Sequence, residues 1–221
     1  MRAMILAAGR GERMKELTAL TPKPLLRIAG KYLIDYSIEA LKKFGIHEIV
    51  INVCYRADEI KKVLGNGERY GVNIIFSEET EALETGGGIF QALPLLGAQP
   101  FVVVSCDIIS DYDFNLLPKN PLGLAHLVMV DNRDFHPRGD YCLHDGKIFK
   151  GDTNTLTFAN IGIYKPELFA DCVQGKFRLA TVFDAAIERK QVTGEYFKGV
   201  WHNIGTPAQI TEYESLHLHA N

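Results

Sequence analysis

The chain has 221 residues, 47% of them hydrophobic and 23% charged, with a formal net charge of −3 at pH 7. That is enough chain for one sizeable domain, and without a basic block it argues against a nucleic-acid-binding surface. Cys54, Cys106, Cys142 and Cys172 are scattered with no C-x-x-C pair, so buried reduced thiols are expected rather than disulfides or a zinc site; with no signal-like or membrane-length apolar run, the expectation is a soluble cytoplasmic protein with no membrane partner.

In chain order, the apolar run Ala3 to Ala8 predicts a buried strand, stopped by small residues at Gly9 and Gly11. Leu33 to Phe44 has apolar residues at helical spacing (34, 38, 41) and Gly45 suits its stop. Glu48 to Val53 reads as a strand, Ala57 to Leu64 as a short helix and Asn73 to Phe76 as a strand. Thr85 is placed to cap a helix opening at Gly86-Gly-Gly88 and running towards Leu93, and Phe101 to Ser105 is again a strand. Further on, Leu124 to Val130 is a strand, and Asp140 to Leu143 and Lys147 to Phe149 flank an Asp145-Gly146 hairpin turn. Leu156 to Tyr164 is a longer strand, Leu179 to Arg189 a helix, Tyr196 to Ile204 a last strand pair and Pro207 to His217 a closing helix. The alternation in the first half predicts an α/β fold: a mostly parallel, doubly wound (Rossmann-like) sheet with helices on both faces. The second half reads as a smaller mixed α+β substrate lobe, within a single domain divided into a nucleotide-binding half (1–118) and a second half (119–221).

The most informative stretch is the first twenty-five residues. Glycine at a strand end lets backbone N–H groups come close to a phosphate, since no Cβ intervenes. Arg13 and Lys23 then supply fixed cations, and Lys23 is stiffened between Pro22 and Pro24. Together they suggest a nucleoside-triphosphate cradle. A dinucleotide fingerprint fails at Met14, where a third small residue is needed, and no Gly-Lys-Ser/Thr triplet makes a Walker loop. Asp107, at the end of an apolar strand and facing that loop, would be costly to bury without a cation or donor. Mg²⁺ suits it, being held by one or two protein oxygens plus substrate phosphates; the alternative is a helix cap before Ile108. In Asp111-Tyr-Asp113, Asp113 reads as a cap rather than as part of a D-x-D metal motif. The seven histidines form no catalytic set, and no hydrolase motif occurs.

Leu6-Ala-Ala-Gly-x-Gly-x-Arg-Met14 followed by Pro22-Lys-Pro-Leu25 resembles the signature of sugar-1-phosphate nucleotidylyltransferases, with Glu16 where the pattern has proline. Within that family, Leu83-Glu-Thr-Gly-Gly-Gly88, Ala92-Leu-Pro-Leu-Leu-Gly97, Gly123-Leu-Ala-His-Leu-Val128, Arg138-Gly-Asp140 and Thr155-Leu-Thr-Phe158 are most similar to the N-acetylmuramate-1-phosphate uridylyltransferase branch of peptidoglycan recycling. The resemblance implies UTP and a sugar 1-phosphate as substrates. It places Ala8, Gly9, Gly11, Arg13, Lys23, Ser77 and Gly86 on the nucleotide, and Ser105, Gly139, Asp140 and Asn160 on the sugar phosphate. Arg13, Lys23 and Asp107 become the catalytic set, and Asp107 with Asn203 the metal ligands. At Asn203 much of the family has aspartate; asparagine keeps a ligating oxygen and gives up a charge. Cys106 stands where the family has glycine, and Lys150 is the nearest substitute for a lysine that the family sets in a Glu-Lys-Pro triplet. Other readings stay open: another sugar (mannose, heptose or glucose) with GTP or dTTP, or a non-catalytic nucleotide-sugar-binding regulator.

Overall fold

The computed structural model describes residues 1–218. Strand β1 (Arg2–Leu6) leads into a loop that carries helix α1 (Leu17–Leu20) and the small hairpin β2 (Arg27–Ile28) and β3 (Lys31–Tyr32). Helix α2 (Leu33–Lys43) starts where the Asp35 carboxylate accepts the Tyr32 N–H at 3.0 Å, which meets a backbone donor at the helix start. Strand β4 (Glu48–Val53), helix α3 (Ala57–Leu64) and strand β5 (Asn73–Glu78) follow. Asp58 and Glu59 in the first turn of α3, with Lys61 and Lys62 in its last, complement the helix dipole.

Helix α4 (Glu84–Leu96) opens before its glycines and runs through Pro94. The expected cap, Thr85, lies inside its first turn; its Oγ1 instead accepts the Leu179 N–H at 3.2 Å, at the start of a helix far along the chain. Strands β6 (Phe101–Ser105), β7 (Ile108–Ser110), β8 (Ala125–Val130), β9 (Tyr141–His144), β10 (Lys147–Phe149) and β11 (Thr155–Tyr164) come next. Helix α5 (Leu179–Glu188), strands β12 (Val192–Tyr196) and β13 (Trp201–Asn203) and helix α6 (Pro207–Leu218) complete the described chain.

Nine strands form one sheet in the order β5-β4-β1-β6-β11-β8-β12-β10-β9. Its first four strands are parallel, as the alternation of strands and helices predicts. Beyond β6 the sheet is mixed rather than mostly parallel: β11 runs antiparallel to both β6 and β8, and β10 runs antiparallel to β12 and β9. Strands β9 and β10 are antiparallel because a tight hairpin joins them, whereas β11 inserts between β6 and β8 against the direction of both. Both halves of the chain thus share one sheet. The expected strand pair within Tyr196 to Ile204 does not form; β12 joins β8 in parallel, while β13 pairs with β7 in a separate two-stranded ribbon.

Side chains of one strand alternate between two hydrophobic clusters. Ala3, Ile5, Val102 and Val104 pack with Ile34, Ile38 and Leu41 of α2 and Ile60 and Leu64 of α3. Met4, Phe101 and Val103 pack with Ile89, Ala92 and Leu96 of α4 and Leu179, Phe183 and Ile187 of α5. The sheet is therefore covered on both faces, which explains its near-continuous apolar strands. All four cysteines are free, but only Cys106 is buried; the other three are half-exposed, contrary to the expectation of four buried thiols. Among the described residues no helix is long and apolar enough to cross a membrane.

Candidate active site

The loop after β1 is shaped by its neighbours. The Ala7 N–H donates to Asn52 Oδ1 at 2.8 Å, fixing the strand end from β4. Gly11 has φ +68°, and a Cβ there would lie 3.0 Å from both Lys23 Cβ and Thr18 Cγ2, so this glycine is required for the loop to fold back on Lys23. The Thr18 hydroxyl closes the turn by donating to Gly11 O at 3.0 Å. A Cβ at Gly9 would meet nothing, which leaves that backbone open to a ligand.

Lys23 begins a short 3₁₀ turn behind Pro22 and is only 9% exposed, yet its Nζ reaches Asp107 in an ion pair. Asp107 does not cap a helix: it sits in the turn from β6 into strand β7. The preceding residue, Cys106, turns its side chain into the core, and burial pushes its thiol up to about 12. The free thiol thus stays protonated at neutral pH.

Two cavities open above the ends of β1 and β6. One, of about 220 Å³, is walled by Ala8, Gly9, Lys23, Asn52, Glu79 and Asp107 among others. The other, of about 340 Å³, is walled by Arg13, Phe135, His136, Asp140, Asn160 and Asn203 among others. Leu6, Thr85 and Ser105 line both, so the two are compartments of one cleft at the carboxyl ends of the strands, where α/β sheets bind ligands.

The second half of the chain reaches the cleft by way of β13. Asn203 stands opposite Ile108, and the Ile204 N–H donates to Asp107 O at 2.8 Å, which brings residues 107 and 203 together. Asn203 Oδ1 is buried and accepts no hydrogen bond among the described residues. An orphaned buried oxygen lining the cleft fits a hard cation that takes oxygen ligands. Among the described residues no group of three or more His, Cys, Asp or Glu could hold a metal, so protein oxygens alone would not complete a coordination shell. Next to Asn203, Gly205 lies against Arg13: a Cβ there would stand 3.1 Å from Nη2. The Gly205 N–H donates to Gln209 Oε1 at 2.8 Å, so the start of α6 holds the surface on which Arg13 rests.

Of the other expected residues, Asp140 lines the larger compartment, but both its oxygens already have partners: Oδ1 contacts His136 Nε2 at 3.0 Å, and Oδ2 accepts the Phe158 N–H at 2.8 Å. Asn160 occupies a bulge in β11 at φ +56° and also lines it. Gly139, at φ +58°, lies behind the wall, where a Cβ would meet Asn132 Oδ1 at 2.5 Å. Ser77 is buried and outside both walls. Gly86 packs against Phe177, and its N–H donates to Phe177 O at 3.1 Å. Lys150 is away from the cleft, paired with Asp184 and Glu188. Asp113 caps its turn by accepting the Asn115 N–H at 2.8 Å.

Sequence reasoning missed Asn52 and Glu79. Asn52 Nδ2 donates to Glu79 Oε1 at 2.6 Å, and Glu79 Oε2 accepts the Leu83 N–H at 3.0 Å. This buried chain links the end of β1 to the start of α4, and Gly88 leaves room for it: a Cβ there would lie 2.6 Å from Glu79 Oε1. A single amide inside the apolar run of β4 was the available signal. Phe135 and His136 had no signal beyond their place in a polar loop.

Residues 2–121 match the family model for nucleotidyl transferases. An N-acetylmuramate alpha-1-phosphate uridylyltransferase from Neisseria meningitidis serogroup B is 44% identical, over 98% of this chain and 98% of its own. An enzyme of the same description from Caulobacter vibrioides is 35% identical over 93% and 92%. Among solved structures, the inositol-1-phosphate CTP transferase from T. maritima superposes with a TM-score of 0.80 at 21% identity, covering 97% of this chain and 94% of its own, a likeness of fold.

Proposed function

The chain belongs to the nucleotidyl transferase family, and we propose that it is a uridylyltransferase that joins UTP to N-acetylmuramate 1-phosphate, giving UDP-N-acetylmuramate and pyrophosphate in peptidoglycan recycling. The observation that carries this reading is the ion pair between Lys23 and Asp107 in the compartment beside the larger one. A phosphate-binding cation and a metal-binding carboxylate are held together where two polyanions would meet. The choice of base and sugar is supported by the two near-full-length relatives that bear this activity.

In this reading residues 1–118 hold the nucleotide and residues 119–221 the sugar phosphate. Lys23, Arg13 and the N–H groups at Ala8, Gly9 and Gly11 bind the triphosphate, and Ser77 and Gly86 shape the base end. Ser105, Gly139, Asp140 and Asn160 form the sugar-phosphate side. A phosphate oxygen of the sugar attacks the α-phosphorus in line, and pyrophosphate leaves opposite. That nucleophile needs no general base, because a phosphate monoester has a second pKa of about 6 and is largely dianionic at neutral pH. The barrier is electrostatic repulsion, and Arg13 and Lys23 lower it by aligning and neutralising phosphate oxygens. Asp107 and Asn203 would hold Mg²⁺, which supplies further charge neutralisation on the phosphates.

The test is a matrix of ATP, CTP, GTP and UTP against N-acetylmuramate, N-acetylglucosamine, glucose and mannose 1-phosphates, scored by Mg²⁺-dependent pyrophosphate release. The highest kcat/KM is expected for UTP with N-acetylmuramate 1-phosphate. A clear preference for another pair would overturn the substrate assignment, and no release from any pair would overturn catalysis.

A further inference from the structure

N-Acetylmuramate differs from N-acetylglucosamine by a lactyl ether whose carboxylate is ionised at neutral pH, so a site that selects it needs a donor or cation beyond those that meet phosphate. The side chains lining the larger compartment that carry a charge or can gain one by protonation of an imidazole are Arg13, His136 and Asp140. Arg13 lies against Gly205, beside Asn203 and the proposed phosphate path. Asp140 has the wrong sign, and its oxygens are taken by His136 and the Phe158 N–H. That leaves His136.

The loop that presents His136 is tied down at several points. Asn132 Nδ2 donates to Pro137 O at 3.3 Å and Thr155 O at 2.9 Å, while its Oδ1 accepts the Thr157 hydroxyl at 2.9 Å. The Thr155 hydroxyl donates to Arg138 O at 2.5 Å, and the His136 N–H donates to Arg133 O at 2.7 Å. Gly139 provides the left-handed turn that lets the loop close on Asn132. The ring itself is oriented through Nε2 by Asp140, and no hydrogen bond to Nδ1 occurs among the described residues. In the doubly protonated ring, Nδ1 is a charged donor. Arg133, on the same turn and anchored by donation to Trp201 O at 3.3 Å, lines an adjoining cavity of about 110 Å³ and brings a fixed positive charge to it. Phe135 is 51% exposed, and its ring faces both cavities, so an apolar surface lies beside the imidazole.

Resting on the uridylyltransferase reading above, we infer that His136 is the specificity residue that binds the lactyl carboxylate of the sugar 1-phosphate, with Asp140 as its positioning residue. Asp140 then acts on the sugar through His136 rather than by direct contact.

The test pairs a change in the protein with a change in the substrate. KM is measured for N-acetylmuramate 1-phosphate and for its lactyl carboxamide, a neutral isostere, in the wild-type enzyme and in His136→Ala and His136→Gln. In the wild type the amide is expected to raise KM about tenfold or more, the size of a lost charge-assisted hydrogen bond. In both variants that penalty should shrink to about twofold or less, because the partner is gone. An equal penalty in wild type and variants would overturn the inference while leaving the uridylyltransferase reading intact, as would a wild type indifferent to the amide. Absence of wild-type turnover with N-acetylmuramate 1-phosphate would overturn the substrate assignment and the inference together.

Discussion

Lys23 and Asp107 form an ion pair between positions 84 residues apart, and both side chains are largely buried, at 11% and 18% exposure. Each keeps the other's charge from being stranded when the cleft is empty. A triphosphate with its metal would then exchange one internal pair for two external ones. Removing either partner leaves the other uncompensated. Each of Lys23→Ala and Asp107→Ala should therefore cost stability, and, from the proposed phosphate and metal roles, cut the kcat of the folded variant by about a hundredfold or more. Pyrophosphate release and circular dichroism check this. Near-normal turnover in either folded variant would remove that residue from the catalytic set.

Asn203 offers a buried oxygen without a hydrogen-bond partner, at the position opposite Ile108. If Asn203 is a metal ligand as proposed, Asn203→Asp adds a negative charge to the site and should lower the Mg²⁺ concentration needed for half-maximal activity. The magnitude should be several-fold, as a carboxylate takes the place of a neutral amide oxygen. A Mg²⁺ titration of pyrophosphate release reads it directly. A curve that does not move would exclude Asn203 from the coordination shell.

Much of this architecture was legible because short-range physics dictates it. Strands Glu48–Val53 and Phe101–Ser105 are dominated by apolar residues, and the Asp145-Gly146 turn takes positive φ at both residues, as a tight hairpin requires. The failures are all long-range. Thr85 looks like a local cap, but its hydroxyl is claimed by Leu179, 94 residues away. Strands β12 and β13 are close in sequence, yet their pairing partners β8 and β7 are set by the sheet and not by their own pattern. At the site, Gly9, Lys23 and Asp107 could be singled out by residue type and strand position. Glu79 and His136 could not, since their roles depend on which polar atoms the fold brings near them.

The Asn52–Glu79 chain predicts a stability effect. Asn52→Ala strips the Ala7 N–H and the Glu79 carboxylate of their shared partner inside the fold. An unsatisfied buried polar group costs about 1–3 kcal/mol, so the variant should lose at least about 2 kcal/mol. Urea unfolding measures the loss, and KM for UTP should rise with it because the phosphate loop is released at Ala7. A variant as stable as the wild type would show that the chain carries no net energy.

Asn160 separates backbone strain from side-chain function. Its φ of +56° is costly for most residues with a Cβ, whereas asparagine and glycine tolerate it. Asn160→Ala should destabilise the protein by about 1 kcal/mol, and Asn160→Gly should not. If the amide binds the sugar phosphate, both variants will raise KM for that substrate. A glycine variant with unchanged KM would leave Asn160 as a bulge residue only.

Away from the cleft, Glu195 ties the stability of the fold to acid pH. The His126 imidazole, and to a lesser extent the Tyr112 hydroxyl, hold the Glu195 carboxyl below the usual glutamate range against the opposing push of burial. A carboxylate whose folded pKa is depressed contributes stability that is present above its unfolded pKa, about 4.3, and is lost as pH falls through the folded value. Glu195→Gln should therefore be less stable than the wild type at pH 7, by about 1–2 kcal/mol, because the Tyr112 hydroxyl then donates to a neutral acceptor and the charge facing His126 Nε2 at 3.8 Å is gone. The gap should narrow on acidification below about pH 4.3, where the wild-type carboxyl takes up its proton. Urea unfolding of both proteins from pH 7 to pH 3 tests the sign. A gap that stays constant or widens towards pH 3 would show that Glu195 does not draw stability from its charge.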